Sequence, residues 1–291
     1  MPELPEVETT VKGLQTKVLS RTFVDVWTDW AKIVKRPQGF GNFKKELCGK
    51  KILQVWRRAK NVIFQLSGGY SLLVHMKMTG HLLVGQWKAD GDLWQPLDNE
   101  AFKEKINGFL HVIFFLDNQD MIALSDVRKF AKIELWKTDE LLQSKEFLGW
   151  GPEPLDENFT LAKFKEILQN KKGRIKQVIM TPEVISGIGN IYASEALWWA
   201  SIHPEKSAAK LSNRELKALY ASIKKVLKAG IDLGGDSFSD YRNVDGQKGA
   251  FEGQKKVYQR EGESCDRCKT PIKRLMVGAR SAFYCPHCQG Q

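Results

Sequence analysis

The chain has 291 residues, 42% of them apolar and 27% charged. That composition excludes an intrinsically disordered protein and leaves room for two domains. Lysine and arginine outnumber aspartate and glutamate by 45 to 34, a net charge of +11, which points to an anionic polymer as partner, nucleic acid before membrane surface. No apolar run approaches the roughly 18 residues of a spanning helix. The acidic, proline-containing start lacks the order of a secretory signal, so a cytoplasmic protein without a signal peptide is expected.

The chain opens Met1-Pro2-Glu3-Leu4-Pro5-Glu6. While Met1 is attached, Pro2 is a tertiary amide with no N–H. A small residue at position 2 is compatible with removal of Met1, which would leave Pro2 as a secondary amine. An α-amino group titrates at about pH 7.7–8.0, so a useful fraction would be neutral and able to attack a sugar carbon, forming an iminium. Glu3 and Glu6 are close enough in sequence to move protons. Taken alone, the same residues also read as an ordinary acidic start to a helix over 5–17, where Val7, Val11 and Leu14 recur at helical spacing.

From about 22 to 135 the pattern is mostly β. Runs at Phe23–Trp27, Ile52–Trp56, Val62–Leu66, Ser71–Met76, Phe109–Leu116 and Met121–Leu124 are separated by turn residues such as Gly68-Gly69 and Asp117-Asn118. Repeated short strands imply an antiparallel sandwich. Residues 85–108 read as a surface loop or insertion. Gly149–Pro154 is the best linker candidate.

Beyond it the period becomes helical: 158–168, 175–180, 190–200, and a longer helix opened by Ser212 and Glu215 at capping-box spacing. Asn190 is a natural N-cap, behind Gly187 and Gly189. A helix N-terminus flanked by Lys172, Arg174 and Lys176 makes a phosphate clamp plausible, although a capped helix with a tight turn explains the same residues. Residues 234–253, rich in Gly, Asp and Ser, read as a long mobile loop. The chain ends in Cys265-x2-Cys268 and, sixteen residues on, Cys285-x2-Cys288. This is tetrahedral zinc spacing around a β-hairpin, closed and therefore structural. Arg280 would sit near the hairpin tip, where its planar fork suits phosphate.

These pieces together resemble the formamidopyrimidine-DNA glycosylases, the bacterial 8-oxoguanine repair enzymes. The matching segments run in order: Pro2–Thr9, Arg57-Arg-Ala-Lys60, His75-x-x-Met78-Thr-Gly80, Asp126-x-Arg128-x-Phe130, Leu148–Leu155, Gly187–Glu195, and the cysteine hairpin with Arg280. The resemblance implies an α+β, two-domain fold. Its N-terminal antiparallel β-sandwich, flanked by helices, would span 1–148, with a linker over 149–157. A helix–two-turn–helix domain would follow over 158–240 and a four-cysteine zinc finger over 254–291, with duplex DNA in the cleft between the halves.

It also implies roles. Pro2 would attack C1′ of the damaged nucleotide, Glu3 would protonate the sugar ring oxygen, and Glu6 would support the site. Base loss would be followed by β,δ-elimination, with Lys60 and Arg280 as proton donors and phosphate contacts. His111, Lys172 and Asn190 would also bind DNA. Met78, Arg128 and Phe130 would fill the space left by the extruded base, whose removal from the stack costs a few kcal/mol. Read from the residues alone, Met78 and Phe130 are better explained by core packing. One structural zinc and a monomeric protein are expected.

The sequence departs from the family pattern in three places, one of them a slightly longer stretch over 85–108. Ala131 stands where the family has glycine, and His111 lacks a second histidine, Phe109 taking that place. Two alternatives stay open: an endonuclease VIII-type enzyme for oxidised pyrimidines, against which Leu4 and the 234–253 segment argue, and a non-catalytic lesion-binding protein, against which Pro2, Glu3 and Lys60 argue.

Overall fold

The computed structural model describes residues 1–91, 93–97, 99–237 and 240–290. In chain order it forms α1 (Leu4–Val18), β1 (Phe23–Thr28), β2 (Val34–Arg36), α2 (Phe40–Leu47), β3 (Ile52–Arg58), β4 (Asn61–Leu66), β5 (Tyr70–His75) and β6 (His81–Gly85). Then come β7 (Trp87–Asp90), β8 (Leu93–Pro96), β9 (Leu110–Leu116), β10 (Met121–Ser125), β11 (Lys132–Lys137), α3 (Thr138–Gln143) and α4 (Lys145–Gly149). The rest is α5 (Leu161–Gln169), α6 (Ile175–Met180), α7 (Asn190–Trp199), α8 (Asn213–Asp232), β12 (Lys273–Val277) and β13 (Arg280–Tyr284). Two compact units result: Met1–Leu148 with Leu233–Glu252, and Gly149–Asp232 with Gly253–Gln291.

The first unit is a β-sandwich. One sheet has the order β1-β9-β10-β6 and the other β2-β11-β5-β4-β3. All pairings are antiparallel except β2 with β11, which is parallel. Alternate residues of both sheets meet in one core, among them Phe23, Phe64, Phe114, Val74 and Leu124, because side chains on a strand point to opposite faces in turn. Val7, Val11, Leu14 and Val18 of α1 join that core, each essentially fully buried. Each contributes about 1.5–3 kcal/mol of burial, which fixes the helix whose N-terminus carries Pro2, Glu3 and Glu6.

The 85–108 segment is not a surface loop. It forms the β7–β8 hairpin and two 3-10 turns, and its Trp87 and Phe102 are buried against Leu83, Ile113 and Ala123. Those three residues are apolar on the outer face of their sheet, so that face needs a cover, and the segment supplies it. The 234–253 segment is also packed where it is described. Tyr241, Arg242, Val244 and Phe251 are buried, and Val244 belongs to the sandwich core; Phe238 and Ser239 lie outside the described residues.

The second unit is helical, with the cysteine hairpin. Phe159, Phe164 and Tyr220 form an aromatic trio between α5 and α8. The segment expected as a linker packs into this unit: Gly151 N–H donates to the Pro182 carbonyl at 2.8 Å and Ser186 N–H to that of Pro152 at 3.1 Å. Helix α7 is buried nearly all round from Tyr192 to Trp198. Its Glu195 accepts N–H bonds from Lys256, Val257 and Tyr258 at 2.8–3.0 Å. That carboxylate seats the chain entering the cysteine hairpin. Ser212 and Glu215 form the expected reciprocal cap of α8.

Candidate functional site

Pro2, Glu3 and Glu6 are all buried at the start of α1. Glu6 is 1% exposed and its carboxylate is shared. Oε2 accepts the Glu3 N–H and Oε1 the Asp236 N–H, both at 2.7 Å. Tyr241 donates its hydroxyl to the Glu6 carbonyl at 2.9 Å, and burial raises its phenol well above the ordinary range. Gly235 has φ +87°, and a Cβ there would lie 2.9 Å from Glu6 Oε1, so glycine is required on both counts. Glu6 thus orients the Glu3 backbone and holds Asp236 and Tyr241 beside it. Asp236, Gly235 and Tyr241 were not marked by any local signal in the sequence.

Lys60 lies in the two-residue turn between β3 and β4, which pair up to Arg58 and Asn61. Arg57 ties this turn to α1. Its Nε donates to Glu8 at 2.8 Å and its Nη1 to the Ala59 carbonyl at 3.0 Å. His75, at the end of β5, accepts the Lys77 N–H on Nδ1 at 3.0 Å. Burial, reinforced by Lys77, Lys60 and Lys132, pushes its pKa down to about 3. His75 is therefore neutral with its proton on Nε2, a fixed donor beside a cationic cluster.

The residues expected to enter the DNA are the exposed ones. Met78 is 42% and Phe130 51% exposed, which sets aside core packing for both. The Arg128 guanidinium lies 4.5 Å over the Phe130 ring. One fully buried carboxylate holds both loops: Asp126 accepts from the Thr79 hydroxyl, from Arg128 N–H at 3.3 Å and from Ala131 N–H at 2.8 Å. Ala131 is buried and is not among the residues with positive φ, so alanine costs no backbone strain there. His111 is 7% exposed, and its Nδ1 lies 2.9 Å from Asp29, which also pairs with Lys129 at 3.3 Å.

In the second unit the details of the clamp differ from expectation. Gly189 is the N-cap of α7 and Asn190 its first helical residue, because the cap falls where the backbone leaves the extended region. Asn190 Oδ1 is buried with no hydrogen-bond partner among the described residues. Lys172 is exposed before α6, and Arg174 pairs with Glu205 at 3.2 Å. Lys176 is not a surface phosphate ligand. It is 1% exposed and donates Nζ to the Ser281 carbonyl at 2.8 Å, latching α6 to the hairpin next to Arg280. Arg280 is exposed at the start of β13 and borders a 280 Å³ pocket with Gln177, Met180 and Pro182.

Cys265, Cys268, Cys285 and Cys288 converge, their sulfurs all within 4.8 Å of one another. The Cys265–Cys288 and Cys268–Cys285 separations are 4.0 and 3.4 Å, bracketing the roughly 3.8 Å that a tetrahedron with Zn–S bonds of about 2.3 Å requires. Trp198 Nε1–H donates to Cys265 at 3.4 Å and Cys288 N–H to Cys285 at 3.3 Å, as thiolate ligands prefer. The donor set fits zinc, all four thiols of the cluster serving as ligands; His287, exposed, is not part of it.

Three family models match in succession. They are the formamidopyrimidine-DNA glycosylase N-terminal domain over residues 1–133, the formamidopyrimidine-DNA glycosylase H2TH domain over 150–242, and the zinc finger found in FPG and IleRS over 262–290. The formamidopyrimidine-DNA glycosylase of Pelotomaculum thermopropionicum is 38% identical over 289 residues, 99% of either chain. That of Chloroflexus aggregans is 38% identical over 292 residues, 99% of this chain and 98% of the other. The Lactococcus lactis Fpg, solved with DNA containing an abasic site, has a TM-score of 0.86 at 32% identity, covering 99% of this chain and 100% of that one. A mutant of the same protein bound to Fapy-dG containing DNA gives 0.87 at 32% identity over the whole of both chains. The protein is thus a DNA glycosylase of base excision repair with a structural four-cysteine zinc site. More narrowly, the chain belongs to the formamidopyrimidine-DNA glycosylase family.

Proposed function

We propose that this protein excises oxidised purines, 8-oxoguanine and formamidopyrimidines, from duplex DNA and then cleaves the strand at the abasic site. The observation that carries the reading is the start of α1, where Pro2 and Glu3 lie at a buried helix N-terminus whose backbone is fixed by Glu6. Hydrolytic removal of Met1 turns Pro2 into a secondary amine. Its nitrogen attacks C1′ and the base departs as the bond to it breaks, with Glu3 delivering a proton to the ring oxygen so that the sugar opens to an iminium. The iminium acidifies C2′. Loss of that proton expels the 3′ phosphate, and a second elimination expels the 5′ phosphate.

The exposed Met78, Arg128 and Phe130 support the extrusion step, because an apolar side chain, an aromatic ring and a guanidinium can fill and pair with what the base leaves behind. Lys60, His111, Lys172, Asn190 and Arg280 are assigned to phosphates. The zinc supplies structure to the hairpin that carries Arg280 and no chemistry. The protein acts as a cytoplasmic monomer. None of its described helices is long and apolar enough to cross a membrane.

The test is base release from two duplexes, one with 8-oxoguanine opposite cytosine and one with thymine glycol. Preference for the first is expected; release from the second alone would transfer the protein to the pyrimidine-repair reading.

A further inference from the structure

Residues 99–107 do more than cover the sheet. Their two turns are held by side-chain bonds and a ring contact. Asn99 caps the first through Ala101 N–H at 2.9 Å, and Phe102 stacks on Trp87 with ring centres 4.9 Å apart. Asn107 roots the second in the sandwich. Its Nδ2 donates to the Ala101 and Gly246 carbonyls at 2.7 and 3.1 Å, so its Oδ1 must accept from His81 Nε2 at 2.8 Å. Beyond itself and the sheet, this structure bonds to the stretch from Arg242 to Gly246. Asn99 Nδ2 donates to the Asp245 carbonyl at 3.0 Å, and a Cβ at Gly246 would lie 2.8 Å from Phe102.

The strongest link is Glu104. It receives a bidentate pair from the Arg242 guanidinium, Nε at 2.8 Å and Nη2 at 2.6 Å. The Arg242 side chain is 4% exposed and that of Glu104 40%, so the pair is half-buried, and its bidentate geometry sets it above an ordinary surface ion pair. Arg242 holds the Glu104 carboxyl below the usual carboxylate range. The remaining arm of the guanidinium, Nη1, donates to the Tyr241 carbonyl at 2.7 Å. Tyr241 in turn donates to the Glu6 carbonyl, and Glu6 receives Asp236. An unbroken line of bonds therefore runs from Glu104 through Arg242 and Tyr241 to Glu6, beside Pro2 and Glu3.

We infer that the 99–107 turns are a positioning strut for base excision, with Glu104 and Arg242 as positioning residues that set Asp236 and Tyr241 against the helix that carries Pro2 and Glu3. The inference rests on the glycosylase reading above. Its consequence is specific. A wall beside Glu6 matters while a nucleotide still carries its damaged base, and matters much less once the base is gone.

The experiment compares single-turnover rates of the full-length protein on two probes, an 8-oxoguanine duplex and a duplex with a preformed abasic site. Misplacement of about an ångström suffices for large rate losses, so Glu104→Ala is expected to slow base excision about tenfold while abasic cleavage stays within about twofold. Glu104→Gln keeps an acceptor oxygen for the guanidinium and is expected to recover most of that loss. If Glu104→Ala does not fold, Glu104→Gln decides alone, with base excision expected to fall about threefold at unchanged abasic cleavage. Equal loss on both probes, or no loss on either, overturns the strut. A wild-type protein that acts on neither probe overturns the glycosylase reading, and the strut falls with it.

Discussion

The two units hold the side chains proposed to act by different means. In the first, buried carboxylates act as brackets. Asp126 holds the loops that carry Met78, Arg128 and Phe130, and Glu6 holds the segment beside Pro2 and Glu3. Those brackets sit on a sandwich whose core is complete without them. In the second, the hairpin bearing Arg280 has a small core of Ile272, Phe283 and Val257 packed around the cysteines themselves. A module of that size cannot bury enough apolar surface to stand alone. Position and fold are therefore separable in the first unit and inseparable in the second.

Metal removal breaks the comparison most severely. Structural zinc contributes on the order of 10 kcal/mol to small modules of this kind. Chelation or Cys268→Ser is expected to unfold the hairpin, to change the fluorescence of Trp198, which contacts Cys265, and to abolish tight DNA binding. A metal-free protein with full affinity would contradict the structural role. Next is Asp126→Ala, which strands the Ala131 N–H and the Thr79 hydroxyl. A cost of about 3 kcal/mol is expected, with base excision falling further than the lost stability explains. Chemical denaturation and single-turnover kinetics on one preparation separate the two. A variant with lower stability and unchanged excision would make Asp126 merely structural.

The smallest effect is a pH dependence confined to the first unit. His81 is fully buried, and burial pushes its pKa down to about 4 from an unfolded value of 6.5. Its Nδ1 has no partner among the described residues to receive a second proton. The native state therefore keeps His81 neutral. Its contribution is intact above pH 6.5 and is lost as the unfolded chain takes up a proton between about pH 6.5 and 4, at most about 3 kcal/mol. Denaturation midpoints across that window are expected to fall more steeply in the wild type than in His81→Gln; equal slopes would assign the acid sensitivity elsewhere.

What local pattern encodes was legible. Helix α1, the strand runs, the Ser212–Glu215 cap and the paired cysteines each depend on spacings within a few residues. What depends on distant partners was not. Residues 85–108 carry Trp87 and Phe102 with no period between them, and only the apolar outer face of a sheet formed elsewhere in the chain explains their burial. Glycines at 234 and 235 suggested mobility, yet the anchors of that segment are Glu6 and Glu104, more than a hundred residues away. The site residues followed the same rule. The side chains proposed to touch DNA stood out by motif, whereas Tyr241, Arg242 and Lys176 act by holding others. Lys176 was read as a phosphate ligand because charge alone does not reveal that its ammonium caps a carbonyl indoors.

The central claim is that the amine of Pro2, exposed by loss of Met1, is the nucleophile. Borohydride reduction during reaction with an 8-oxoguanine duplex, followed by peptide mass mapping, tests it directly. The account requires a covalent adduct on Pro2 in protein whose intact mass lacks Met1, and no adduct in Pro2→Gly at comparable DNA affinity. An adduct on a lysine, or efficient base release by protein that retains Met1, would contradict it.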